Sequence, residues 1–450
     1  MDDQHDRARE TLFDLPTEPN TRSVGGVPAG RPRLQRADRD QVRMRAASLD
    51  ELLPADHRAR LVWEFVERLD LTALHARIRA VEGHAGRPPI DPAILVALWL
   101  YATLDGVGSA RELARLVDAH DAYRWIAGGV GVNHHTLADI RSGDADLLED
   151  LLVQSVATLT MAETDDAWTV AQDGVRVRGS AGAGSFHRRD RLTDALADAE
   201  LRVRSLRTEL DADPNARSRR QAAAAERAAR QRAERVRRAL EALPGIEAAK
   251  RRKGRSPDEA RASTTDPDAR VMRMGDGGWR PAFNVQYATE VGSGLVCGVA
   301  VTTVGSDQGE LEPMRQRLRR CFGRVPDAVL VDGGYVDLGV IGRLADDGTI
   351  VHAPPPVPRE VGRDRYRPLP DDPPAIAAWR IRMGTPEGQE RYRARGETAE
   401  WVNALARNRG LQRLRVRGTE RVRAAVTWFA LAHNVMQADL LRRRVLGDGA

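Results

Sequence analysis

At about residue 165 the chain stops repeating its apolar residues every three or four positions and begins to gather them in short β-branched runs. Helix-period and strand-period patterns do not exchange, because one places side chains at steps of 3.6 residues and the other at steps of two. A helical part must therefore precede a sheet, and 450 residues leave room for two or three cores. Helical spacing runs from "SLDELLPADHRARLVWEFVERLDLTALHARI" to "DLLEDLLVQSVATLTM", with start signals at Asp91-Pro92 and Ser109. This predicts an all-helical domain over residues 46–163. Residues 1–45 mix charge with Pro and Gly without periodicity and read as a flexible arm.

Beyond the switch, "AWTVAQDGVRV", "PAFNVQYATE", "GLVCGVAVTTVG", "DAVLVDGGYV" and "GTIVHAP" read as five strands. "DQGELEPMRQRLRRCF" and "DLGVIGRLADDG" supply helices around the fourth, and "YRARGETAEWVNALARNRG" supplies one after the fifth. The order β-β-β-α-β-α-β-α predicts an α+β multidomain chain in which a mixed five-stranded sheet carries flanking helices. One insertion interrupts it. Leu192, Leu196, Ala199, Val203, Leu206 and Leu210 form a heptad seam, "DADPNA" breaks it, and a second seam runs through Ala222, Ala229, Ala233, Val236, Leu240 and Leu243. An antiparallel helical hairpin over 188–255 thus divides the sheet into 164–187 and 256–450.

The hairpin's return arm, residues 217–238, holds nine arginines against two glutamates. Arg235 and Arg238 are its candidate contacts to a DNA backbone, with a solvated helix face as the plain alternative. Across the chain 70 Lys+Arg oppose 65 Asp+Glu, and only Lys250 and Lys253 are lysine. That preference suits bidentate phosphate binding, and it equally fits a compositional bias toward arginine. Aromatic residues make up 4% of the chain, which disfavours stacking on single strands as the main mode. Cys297 and Cys321 lack the spacing of a zinc site or a disulfide framework, as expected in a reducing compartment. No segment reads as a membrane span or a signal peptide, so a cytoplasmic protein without a membrane partner is expected.

Asp173 falls in or at the end of the first predicted strand and Asp332 at the end of the fourth, each followed by glycine. As isolated motifs these are turn signals. If the two strands are neighbours the carboxylates converge, and with a third acid from a later helix they form a hard-oxygen site able to hold two Mg²⁺. The signature helix offers Glu397 and Glu400, and helical phase alone puts both off the apolar face; Trp401, Val402 and Leu405 mark the face expected to dock on the sheet.

Several blocks carry a resemblance: "TDPDARVM", "PAFNVQYATE", "VTTVGSDQGELEPM", "VLVDGGYVD", "GTPEGQERYRARGETAEWVNALARNRGLQRLRVRG" and "WFALAHNVMQ". "GRPPIDPAILVALWLYATLDGVGSARELARLVDAHDAYRWIAGG" and "NHHTLADIR" add to it in the N-terminal half. From about residue 45 to 440 the chain resembles bacterial insertion-sequence transposases of the DDE type, in the subset with a Tyr-x2-Arg signature ahead of the catalytic Glu. The resemblance implies a ribonuclease-H-like core with Asp173, Asp332 and Glu400 as metal-binding catalytic acids. It implies DNA contacts at Tyr392, Arg395, Arg407 and Arg141, and Mg²⁺ as cofactor with Mn²⁺ as a substitute. It also implies a helical DNA-binding domain, terminal inverted repeats and target DNA as double-stranded partners, and a homo-oligomer, such as a dimer, on DNA. Glu397 is then a solvated first-turn residue. Gln172, Gly333 and Arg407 depart from the family pattern, where an apolar residue, alanine and lysine are usual. Rival functions are a stand-alone metal-dependent nuclease and a catalytically silent DNA-binding descendant.

Other motifs fall away. Adjacent His134 and His135 diverge on a helix and lack partners at ligand spacing. "GSAGAGSF" lacks the strand-turn-helix unit of a dinucleotide site. Gly275-Asp276-Gly277-Gly278 reads as a hairpin approach to the second strand, and "APPPVPREVGRDRYRPLPDDPP" as a surface connection.

Overall fold

Each block of apolar periodicity becomes the element its period dictates. A computed structural model describes Asp40 and residues 46–80, 88–160, 167–212 and 216–447. The rest of the expected N-terminal arm, the 163/164 boundary and the tip of the hairpin lie outside the described residues. The N-terminal part holds α1 (Arg58–Glu67), α2 (Pro92–Leu104), α3 (Ala110–Ala119), α4 (Asp121–Ala127), α5 (His134–Arg141) and α6 (Ala145–Thr160). Asp91 caps α2 by accepting from Ala93 N, with Pro92 in its first turn, and Ser109 caps α3 by accepting from Glu112 N. α2 is apolar all round, and ten of its residues are buried because helices cover it on several sides.

The sheet follows: β1 (Thr169–Arg178), β4 (Arg270–Arg273), β5 (Trp279–Glu290), β6 (Val296–Thr302), β7 (Ala328–Leu330) and β8 (Ile350–His352). Its order is β4-β5-β1-β7-β8, with β6 also on β5. β1 pairs antiparallel with β5 and parallel with β7, so the sheet is mixed. The five expected strands are present, joined by β4, which a turn at Gly277 (φ 80°) folds back onto β5. Four residues with two arginines gave too little alternation to reveal β4 in the sequence.

Helices α7 (Arg189–Ala212) and α8 (Ala216–Arg252) form the hairpin, and β2 (Phe186–His187) pairs with β3 (Ala262–Ser263) across its base. Leu192, Val236, Ala239 and Leu243 are fully buried between the arms. Ala239 displaces Leu240 from the centre of the predicted seam, since the helical step from Val236 leaves Leu240 half-buried.

Helices α9 (Leu311–Phe322), α10 (Leu338–Asp346), α11 (Pro374–Gly384), α12 (Pro386–Arg395), α13 (Trp401–Asn408) and α14 (Thr419–Leu446) complete the chain. α14 sits between the N-terminal helices and the sheet: Val422, Val426, Phe429 and Val435 are buried in one apolar cluster with Leu98, Leu151, Phe283 and Val285. The helical part and the sheet thus share a core. Among the described residues no helix is long and apolar enough to cross a membrane.

Candidate active site

β1 and β7 run parallel with Ala171 opposite Leu330, so two residues further Asp173 stands beside Asp332. Strand alternation puts both on the face of Ala171 and Leu330, which bury Ala399. Neighbouring strands lie about 4.8 Å apart, and the charge of Asp332 acts on Asp173 accordingly. Burial pushes the Asp173 carboxyl above the usual carboxylate range; Arg395 opposes this and Asp332 adds to it. Gly174 N donates to Asp173 Oδ1 at 3.0 Å. Asp332 begins a turn over Gly333–Tyr335 and accepts from Gly334 N at 2.8 Å.

Gly174 is neither a turn residue nor a positive-φ residue: it lies within β1. A Cβ there would come within 2.3 Å of Asp307 Oδ1 and Gln286 Nε2. Behind the face that carries Asp173 lies a polar layer in which Asp307 accepts from Arg176, Asn284 and Gln286. Buried Gln172 donates to Gln286 Oε1 and Glu310 O, and the Tyr335 hydroxyl also bonds Gln286. The Asp-Gly of β1 is therefore set by close packing. Asp307, in the "GSDQGE" stretch, is a residue the sequence reading passed over.

Glu400, the candidate third acid, lies on a distorted helix. Between α12 and α13 the backbone forms a π-turn over Gly396–Glu400, a distortion frequent at functional sites. Arg395 spans the site from there: Nη2 lies 2.8 Å from Glu400 Oε1 and Nη1 lies 3.7 Å from Asp173 Oδ1, with the guanidinium over the Tyr392 ring. Its side chain is 12% exposed while that of Glu400 is 61% exposed. Burial works against the Arg395 charge, but Tyr392, Asp173, Glu400 and Asp332 together hold its pKa above the ordinary value. Glu397 is exposed. Among the described residues no group of three or more acids, histidines or cysteines is gathered closely enough to hold a metal ion. Arg395 instead stands between Glu400 and the aspartate pair.

The buried face of α13 is Val402, Asn403 and Ala406. Trp401, expected to dock on the sheet, is 43% exposed and meets His433 edge-on, because it lies one helical step off that face. Asn403 was missed: it is buried and donates from Nδ2 to Asp173 Oδ2 at 2.8 Å. An asparagine inside an apolar stripe was the available signal.

The remaining candidates lie apart from the acids. Arg407 is exposed near the end of α13. Arg141 is half-buried, donates to Gly108 O and stacks over Trp99 at 5.0 Å, where it braces the N-terminal helices. Arg235 donates to Thr264 O at 3.4 Å, and Arg238 pairs with Asp268 at 2.7 Å.

Two stretches of the chain match known families: residues 47–143 match a transposase domain (DUF772) and residues 374–438 match a transposase DDE domain. Both matches support a DDE transposase. Together the transposase matches take in a little over a third of the chain. The DDE match includes Tyr392, Arg395, Glu400, Asn403 and Arg407, while Asp173 and Asp332 lie outside both. No curated protein and no solved structure matches the chain.

Proposed function

We propose that the chain is an insertion-sequence DDE transposase with a ribonuclease-H-like core that cleaves DNA at the element's terminal inverted repeats and joins the freed 3′-hydroxyl ends to target DNA. The observation that carries this reading is the register that sets Asp173 beside Asp332, with Arg395 and Asn403 reaching Asp173 from the segment matched as a transposase DDE domain. The 46–163 helices are the end-recognising part, and the protein acts as a homo-oligomer on DNA.

Asp173, Asp332 and Glu400 would hold the metal. Their carboxylates are hard oxygen donors suited to Mg²⁺, with Mn²⁺ as a substitute, and the Asp332 charge that works against ionisation of Asp173 is one a cation would relieve. Bound there, the metal would supply Lewis-acid stabilisation of the charge that develops in phosphoryl transfer. The chain's own groups orient and bind. Asn403 fixes the Asp173 carboxylate, and the polar layer of Asp307, Gln286 and Tyr335 stiffens the strands behind it. Arg395 and Tyr392 grip a backbone phosphate. A phosphate that takes the Arg395 guanidinium competes with Glu400 for it and frees Glu400 to join the aspartates.

The test is to incubate purified protein with Mg²⁺, labelled element-end DNA and a target plasmid. Joined products are expected. Cut products without joining would replace this reading with a nuclease, and binding without cutting would replace it with a silent DNA-binding relative.

A further inference from the structure

The basic hairpin arm suggests a phosphate grip at Arg235 and Arg238, but among its described arginines Arg230, Arg237 and Arg238 are held in ion pairs and Arg235 is turned onto Thr264 O. The 1090 Å³ cleft beneath the hairpin is lined by arginines and acids together. Arg237 is held by Glu200 and Glu234, and Arg238 by Asp268. A phosphate would have to displace a carboxylate from each.

Among the described residues, arginines with no acid beside them lie at the end of α13 and just after it, at Arg407, Arg413 and Arg415. There the chain turns at Gly410 (φ 88°) and runs past the end of β1, where Arg178 N donates to Gln412 O at 3.3 Å and Leu414 N donates to Arg178 O at 2.8 Å. Burial then alternates: Leu414 is buried and Val416 half-buried, whereas Arg413, Arg415 and Arg417 are exposed. The apolar pair anchors the segment and the arginines face outward. A 620 Å³ recess opens beside them, lined by Arg407, Arg413 and Arg415 with Ser180, Asn408 and Gln412, and among the described residues no acidic side chain lines it. Arg415 lies near enough to Arg141, and Arg417 to Arg235, for the charges to oppose each other. Arginines crowded without acids favour a polyanion that covers them. Arg407 stands seven residues beyond Glu400, about 10 Å of helix rise, so this ribbon leads away from the proposed acids.

We infer that residues 407–417 are the principal grip on the backbone of duplex DNA, holding phosphates that flank the cut, and that the hairpin arm is secondary. The inference rests on the transposase reading. Guanidinium forks match backbone phosphates, and the segment contains no aromatic ring on which an unpaired base could stack, which favours a duplex over a single strand.

Binding of the full chain to a labelled duplex of arbitrary sequence, followed between about 50 and 200 mM salt, tests this. Each phosphate contact contributes about 0.9 to the slope of log affinity against log salt. The double variant Arg413→Gln/Arg415→Gln should flatten the slope by about 1.8, and Arg413→Lys/Arg415→Lys should restore it. Single variants, each expected to show about half of the shift, carry the test if the double variant does not fold. Arg359→Gln/Arg367→Gln, which removes the same charge from the exposed proline-rich loop, should leave the slope unchanged. An unaltered slope in the ribbon variants, or an equal change in the loop variant, overturns the ribbon while wild-type binding leaves the transposase reading standing. Absence of wild-type binding overturns both.

Discussion

Asn403 Nδ2 donates to Asp173 Oδ2 at 2.8 Å, across 230 residues of sequence. This hydrogen bond ties the first strand of the sheet to the helix that follows Glu400. It also means that the orientation of the Asp173 carboxylate depends on correct docking of α13, so strand and helix are coupled through a buried polar contact.

Loss of that contact should be felt in both stability and activity. Asn403→Ala leaves a half-buried carboxylate oxygen without its donor, at a cost of about 1 to 3 kcal/mol in urea unfolding. Removing a group that orients a ligand typically lowers activity about 10- to 100-fold, and single-turnover DNA cleavage should fall by that much. Asn403→Asp, which sets a second carboxylate against Asp173, should be worse. Cleavage by Asn403→Ala at the wild-type rate would remove the positioning role.

Asp173→Asn should abolish cleavage yet not weaken the fold at neutral pH. Because burial raises the folded-state pKa of Asp173, the stability this group contributes is fully present below its unfolded pKa, near 3.9. It is lost as pH rises through the folded value. The asparagine has no such dependence. Thermal melts should therefore show the variant's Tm rising relative to that of wild type as pH climbs from about 4; a relative fall over the same climb would contradict the burial argument.

Much of this was legible before any coordinates. Asp173 could be placed in or at the end of the first strand, and Asp332 at the end of the fourth, because β-branched runs mark strands clearly; Asp173 in fact sits mid-strand in β1, and Asp332 just past β7. Glu400 and Glu397 could be separated only through resemblance, since both lie off an apolar face. What periodicity could not reveal were features set by contacts distant in sequence. Gly174 looks like a turn signal, yet its reason is Asp307 and Gln286 packed over it. Trp401 looks like a docking residue because it is large and apolar, yet the π-turn ahead of it and the buried set Val402, Asn403 and Ala406 leave it on the rim. The arginines of the hairpin could be counted, but not the return of Glu200 and Asp268 to pair with Arg237 and Arg238.

Glu400 and Glu397 should part company under mutation. Glu400→Gln is expected to eliminate cleavage while leaving DNA binding, and Glu397→Gln to retain both. The Arg395–Glu400 ion pair is exposed on the glutamate side, so a double-mutant cycle with Arg395→Gln should give a coupling below about 1 kcal/mol in stability. A large coupling would mean that the pair serves the fold. Full cleavage by Glu400→Gln with loss in Glu397→Gln would reverse the assignment of the third acid.

Two buried histidines should make the fold sensitive to mild acid. His352 on β8 and His433 on α14 are each pushed down to about 4, chiefly by burial. Arg382 and Arg391 add to the effect on His352; at His433 Gly294 O partly offsets it. An unfolded histidine titrates near 6.5, so between that pH and about 4 the unfolded chain binds protons that the folded chain refuses. Stability contributed by the neutral rings is complete above pH 6.5 and declines as pH falls, by up to about 1.4 kcal/mol per pH unit for each histidine. His352→Leu should lose its share of this slope in urea unfolding followed across that window. An unchanged slope would show that His352 takes up its proton in the folded state as readily as in the unfolded one.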